Sequence, residues 1–165
     1  MRNRVWPALV VSLMAVLPAA GCYQGFEGTV NSQGPTGNGT DIEVGALRVQ
    51  DTTLVADATG SGSAALIMTL INDGEADDAL VSASIESVGA GATEGPIQVA
   101  AGSAVKVGGP AGSPAIAFTG LTQPAGTYVD VTLSFRDAGS TTVPVALVPG
   151  TGYYADHAPT LDTEG

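Results

Sequence analysis

The stretch "TYVDVTLSFRDAG", from Thr127 to Gly139, decides the fold class. Val129, Val131, Leu133 and Phe135 alternate with Asp130, Thr132, Ser134 and Arg136. A period of two sends one set to a core and the other to water, the signature of a half-buried strand. A helix would instead repeat its apolar residues at three and four. Immediately after comes "STTVPVALVP", Ser140 to Pro149, with Val143, Val145 and Leu147 inward. Pro144 has no N–H for a ladder, so this strand is expected at a sheet edge.

Working outward, the same grammar recurs. "SAALIMTLIN" (Ser63–Asn72) is apolar at nearly every position and reads as a central strand buried on both faces. "DGEADD" is a turn. "ALVSASIESV" then alternates, with Val81, Ala83 and Ile85 on the core side and Ser82, Ser84 and Glu86 on the other. "DIEVGALRVQ" alternates through a slip at Gly45, which reads as a bulge. "TTLVADA" is a short second strand. "IQVAAGSAVKVGG" gives two short strands about Ala101-Gly102, and "PAGSPAIAFTGL" a strand between turns. After the first residues no segment has a sustained 3.6 period. Many short strands with regular turns predict an all-β chain, a single Greek-key β-sandwich of the immunoglobulin-like kind.

The N-terminus has a different character. Arg2 and Arg4 precede the thirteen apolar residues Val5–Leu17, followed by Ala19-Ala20-Gly21-Cys22. A basic start, a short apolar core and small residues at the exit describe a secretory signal. The run is too short for a membrane-spanning helix, which needs roughly 20 residues. Cys22 is the sole cysteine of the chain, so no disulfide can form within it. The segment resembles a bacterial lipobox, in which cleavage after Gly21 makes the cysteine the lipidated first residue. Ala19 departs from that pattern, where leucine is commoner. Ordinary cleavage after Gly21, leaving a free thiol, is the alternative.

The expected organisation is a signal peptide at 1–21, a flexible tether at 22–40, a β-sandwich at 41–149 and a disordered tail at 150–165. The tether is rich in Gly, Asn and Ser, and as a random coil it spans roughly 23 Å. Asn38-Gly39-Thr40 matches a glycosylation acceptor, a modification that a bacterial lipoprotein is not expected to carry.

Removing the signal leaves three basic residues, Arg48, Lys106 and Arg136, against sixteen acids, a net charge of −13. Such a surface argues against nucleic acid and against docking through basic patches on anionic lipid. The expected localisation is the extracytoplasmic face of the cell membrane, held there by the lipid. An envelope protein is the expected partner, of unknown identity, with no nucleic acid and no cofactor.

Three segments, in order, resemble the PCu(A)C copper-chaperone family, whose fold is a cupredoxin-like sandwich. They are "ALIMTLINDGEADDALVSAS", "IQVAAGSAVKVGG" and "GLTQPAGTYVDVTLSFRDAGSTTVPVAL". The resemblance covers about residues 42–148 and makes the middle segment a hairpin. It implies a Cu(I) site of soft ligands, a His-Met pair, a later Met and a His-x-Met. Thioether and imidazole suit Cu(I). The last element falls on Ala115-Ile116-Ala117, so both ligand positions are alanine. The His-Met pair would fall in "VGAGATEG", Val88–Gly95, which has neither residue.

Little else could supply ligands. Beyond the signal the chain has one methionine, Met68, and one histidine, His157. Met68 sits within the most apolar strand and reads as core. His157 reads as a solvated tail residue, a weak metal candidate with Asp156 or Asp162. The turn Asp73–Asp78 is dense in carboxylates but lacks the length and terminal Glu of a calcium loop, and reads as solvated. A Ser-His-Asp arrangement would need His157, and a thiol nucleophile would need Cys22, so no enzyme is expected. The reading that follows is a non-catalytic binding or structural module. Its alternative is a metal chaperone with an atypical site of carboxylates and His157.

Overall fold

A computed structural model describes residues 39–109 and 113–159. Ten strands follow in chain order: β1 (Thr40–Val44), β2 (Leu47–Ala56), β3 (Ala64–Asn72), β4 (Asp78–Ile85), β5 (Gly89–Ala90), β6 (Ile97–Val99), β7 (Ala104–Val107), β8 (Ala117–Phe118), β9 (Tyr128–Phe135) and β10 (Ser140–Pro149). The ladder runs β5-β4-β9-β10-β2-β3-β7, with β1 beside β2, β6 beside β4 and β8 beside β3. All pairs are antiparallel except β10 with β2. The sheet curls on itself, so that β4, β9 and β10 face β2, β3 and β7 across one core. Leu54, Leu66, Met68 and Leu70 from one layer pack in the same cluster as Ile85, Val131, Leu133 and Val145 from the other. The architecture is the all-β sandwich that the alternation predicts, of the cupredoxin-like kind that the resemblance implies.

Several local readings change. Gly45 is not a bulge inside one strand. It takes φ +59° in a two-residue turn between Val44 and Leu47, so the segment is a hairpin. The bulge lies further on, where Asp51 takes φ +56° and the pairing shifts between Gln50 and Thr53. Val81, expected in the core, is 45% exposed. The pairing of β4 with β9 shifts between Leu80 and Ser82, making Val81 the extra residue of a bulge and turning it outward. The β10 strand is interior, not an edge. Its half around Pro144 lies in the ladder beside β9, and the parallel pairing to β2 begins only at Ala146. The free carbonyl of Pro144 accepts from Thr40 Oγ1 at 2.8 Å.

β6 and β7 do not pair with each other, as a hairpin would. β6 pairs with β4 and β7 with β3, so the turn at Ala100–Ser103 carries the chain from one layer to the other. The segment after Pro149 is not without structure either. Gly152–His157 forms a turn of 3-10 helix. His157 is half-buried there, with Nδ1 2.8 Å from the carbonyl oxygen of Gly108.

The turn between β3 and β4 is also less solvated than its composition suggests. Asn72 is 2% exposed and Asp78 is 6% exposed. Asn72 Nδ2 donates to the carbonyls of Ala76 (2.8 Å) and Val99 (3.1 Å), and its Oδ1 accepts from Gly74 N. Asp78 accepts three backbone N–H groups, from Ala79 (2.6 Å), Asp137 (3.0 Å) and Ala138 (2.9 Å). Burial pushes the Asp78 carboxyl up. The three amide donors and the charge of Arg136 outweigh it, so the group lies below its ordinary value.

Replacing Asp78 with Ala leaves those donors buried without an acceptor. The expected loss is about 3 kcal/mol in urea unfolding. The pH dependence follows the same carboxylate. Its folded value is depressed, so its contribution is complete above the unfolded value of about 3.9 and is lost as pH falls through the folded value. Stability is therefore expected to decline below about pH 4, and less steeply in Asp78→Ala, measured by urea midpoints across the acid range.

Candidate functional site

The positions to which the resemblance assigns ligands come together in space. Ala92 and Ala117 form an isolated bridge, with Ala92 N donating to Ala117 O at 2.7 Å and Ala117 N to Ala92 O at 3.0 Å. Below this bridge the two segments diverge and leave an open groove of about 980 Å³. One wall is Ala92–Gln98 and the other comprises Ser113, Pro114, Ala115 and Ala117.

Each wall is held by the core behind it. Ile116 and Phe118 are buried, and the backbone of Gly91 lies against them. A Cβ at Gly91 would come within 2.7 Å of Ile116 Cγ2 and 3.0 Å of the Phe118 ring. Ile116 O accepts from Leu66 N at 2.9 Å, and Gly108 N donates to Pro114 O at 2.8 Å. Gly108 itself has φ +67°, and a Cβ there would clash with Ile67 and with Leu66 O. The second wall is thus laced to β3. On the first, Thr93 Oγ1 donates to Gly95 O at 3.1 Å, and Arg136 Nη2 donates to Gln98 Oε1 at 2.6 Å.

The donor set is not one for a soft metal. Among the described residues Thr93, Glu94, Gln98 and Ser113 supply the groove's polar side chains, and Glu94 is the one ionisable lining group. Ala115 and Ala117 both line the groove and offer only methyl groups. Met68 is in the core, opposite Val107. His157 is bound to Gly108, and neither residue lines the groove. Among the described residues no group of three or more His, Cys, Asp or Glu side chains is placed to hold a metal ion. Three carboxylates of the β3–β4 turn are engaged individually. Asp73 pairs with Arg48 (2.5 Å), Asp77 accepts from Ala101 N, and Asp78 is the buried acceptor already described. Gly21 and Cys22 lie outside the described residues.

Composition and period did not reveal the wall Thr93–Gln98, whose first four residues read as a loop and whose last two open a strand. Its one signal is Pro96 just before an alternating "IQV". A second depression, lined by Glu86, Ser87, Gln123, Tyr128 and Asp130, was equally hidden, although alternation places that tyrosine on the solvent face.

With this geometry in view, the fold can be placed among known ones. It is similar to the copper-bound PCuAC domain from PmoF2, with a TM-score of 0.59 and 22% identity over 66% of this chain and 97% of that one. It is similar also to the apo PCuAC domain from PmoF1, with a TM-score of 0.59 and 22% identity over 66% and 98%. At these identities the likeness is one of fold. No curated protein matches the chain. The sequence profile of the family described as "Putative lipoprotein LpqE-like" matches residues 47–147. The chain belongs to this LpqE-like family, and its domain shares the fold of the PCuAC domains.

Proposed function

We propose that the chain is a lipid-anchored, non-catalytic binding module of the cell envelope, whose groove takes a partner other than a copper ion. One observation carries this reading. The groove where the family's soft ligands would fall is lined by Ala115, Ala117, hydroxyls, an amide and a single carboxylate. Cu(I) needs sulfur or imidazole donors, and a fold retains no function whose side chains are gone. Open, half-apolar and edged by strand backbone, the groove suits a segment of an envelope protein better than an ion. The anchor is Cys22, carrying a diacylglyceryl group, because two acyl chains hold firmly where one does not. A chaperone with an atypical carboxylate site draws no support from His157, which is bound to a backbone carbonyl.

Calorimetric titration of the full chain in detergent with Cu(I), Cu(II) and Zn(II) tests the reading. Affinity weaker than about micromolar is expected for all three. Tighter binding, lost in His157→Ala, would overturn it. The double variant Ala115→His, Ala117→Met is expected to raise Cu(I) affinity about tenfold or more by restoring two soft donors.

The anchor has its own test. Cells fed radioactive fatty acid are expected to label the chain, with the label absent in Cys22→Ala. Equal labelling of the variant would remove the anchor from the reading.

A further inference from the structure

The outer face of β4, β9 and β10 carries a regular array. Ser82 stands opposite Ser134, and Ser134 opposite Ser140. In the next row Ser84 stands opposite Thr132, and Thr132 opposite Thr142. Strands lie about 4.8 Å apart and residues of one face repeat about every 6.8 Å along a strand. The six hydroxyls therefore form a regular grid. Within it Ser140 Oγ donates to Ser134 Oγ at 2.9 Å, and the Thr132 and Thr142 hydroxyls are 2.7 Å apart.

The grid leads into a cavity. Two and four residues before Thr132 on the same face are Asp130 and Tyr128. Tyr128 is 68% exposed. Its neighbour across β10 is Ala146, too small to cover the ring. The tyrosine lines a depression of about 320 Å³ together with Glu86, Ser87, Gln123 and Asp130.

The chemistry of this face selects among ligands. An anionic polymer would meet Glu86, Asp130 and the chain's formal charge of −11. An apolar protein surface would strip water from six hydroxyls and offer nothing in return. A basic segment would find acids across the rest of the surface but no charge within the grid. A neutral sugar polymer meets all the terms. Its hydroxyls both donate and accept, matching Ser and Thr. Its C–H faces can pack on an exposed aromatic ring, while carboxylate and amide groups beside the ring bind its hydroxyls.

We propose that the outer β4–β9–β10 face binds a neutral polysaccharide, with Tyr128 as the stacking platform and the six-hydroxyl grid as the track beside it. This surface shares no residue with the groove, so the proposal stands apart from the function proposed above.

The test is affinity electrophoresis of the full chain, in a detergent without sugar headgroups, through gels containing dextran, laminarin or arabinogalactan. Polygalacturonate is the anionic control. Retardation by at least one neutral polymer is expected, unchanged by added salt because no ion pairs carry it. Tyr128→Ala is expected to weaken binding about tenfold, and Tyr128→Phe, which keeps the ring, by no more than about threefold. Tyr153→Ala removes a tyrosine that is 84% exposed but lies off this face, and is expected to change nothing. Thr132→Val with Thr142→Val is expected to weaken binding a few-fold while leaving the strand pairing intact. The proposal is overturned if no neutral polymer retards the chain, or if Tyr128→Ala binds like the parent. It is overturned too if only polygalacturonate retards the chain and salt abolishes that. Self-association lost in Tyr128→Ala, without polymer binding, would assign the face to a second copy instead.

Discussion

A buried carboxylate holds one end of this sandwich together. Asp78 opens β4, yet its side chain accepts the amides of Asp137 and Ala138, some sixty residues on, at the β9–β10 turn. Six residues earlier Asn72 performs the complementary task, donating to the carbonyl of Val99 at the end of β6. Between them, Asp73 N donates to Ala46 O in the β1–β2 turn. One short segment thus ties together turns from both layers. A curled sheet needs such ties. Hydrophobic burial is non-directional and fixes no turn, whereas an unpaired buried amide is costly enough to fix one.

That division explains how a PCuAC-like fold can stand without soft metal ligands. The scaffold depends on alternating Val, Leu and Ile and on the Asn72 and Asp78 clamps, of which only Ile97 also lines the groove. The walls are positioned by backbone bonds, such as Gly108 N to Pro114 O, and by close approach at Gly91, not by the side chains at 115 and 117. Alanine at those positions costs the fold nothing. What the groove then offers is shape, a bridge of backbone, a few neutral polar groups and the carboxylate of Glu94.

Much of the fold was legible because period and burial are linked directly in a strand. Val129, Val131, Leu133 and Phe135 are all buried, and their even-numbered neighbours face out. Val81 was misread because a bulge shifts the period by one residue, and nothing in "ALVSAS" marks it. Gly45 was visible as an irregularity, but a bulge and a tight turn have the same local signature. Pro144 was assigned to an edge on sound grounds. The structure meets the same constraint differently, by leaving that half of β10 outside the parallel pairing with β2. His157 could not be placed from sequence, since its partner is the backbone of Gly108, forty-nine residues away.

For the site, the alanines at 115 and 117 were readable from the chain alone, and so was the absence of soft donors from Val88–Gly95. Their convergence into one groove was not, because it depends on the Ala92–Ala117 bridge between segments that share no periodic pattern. By itself the sequence determined the class of fold and the chemistry absent from it, since strand period and residue type are local properties. Only the tertiary structure decided which turns share a clamp, which alanines face each other and which hydroxyls stand in one row. Those depend on register between strands distant in sequence, and register is set by bulges and buried polar contacts that no single segment contains.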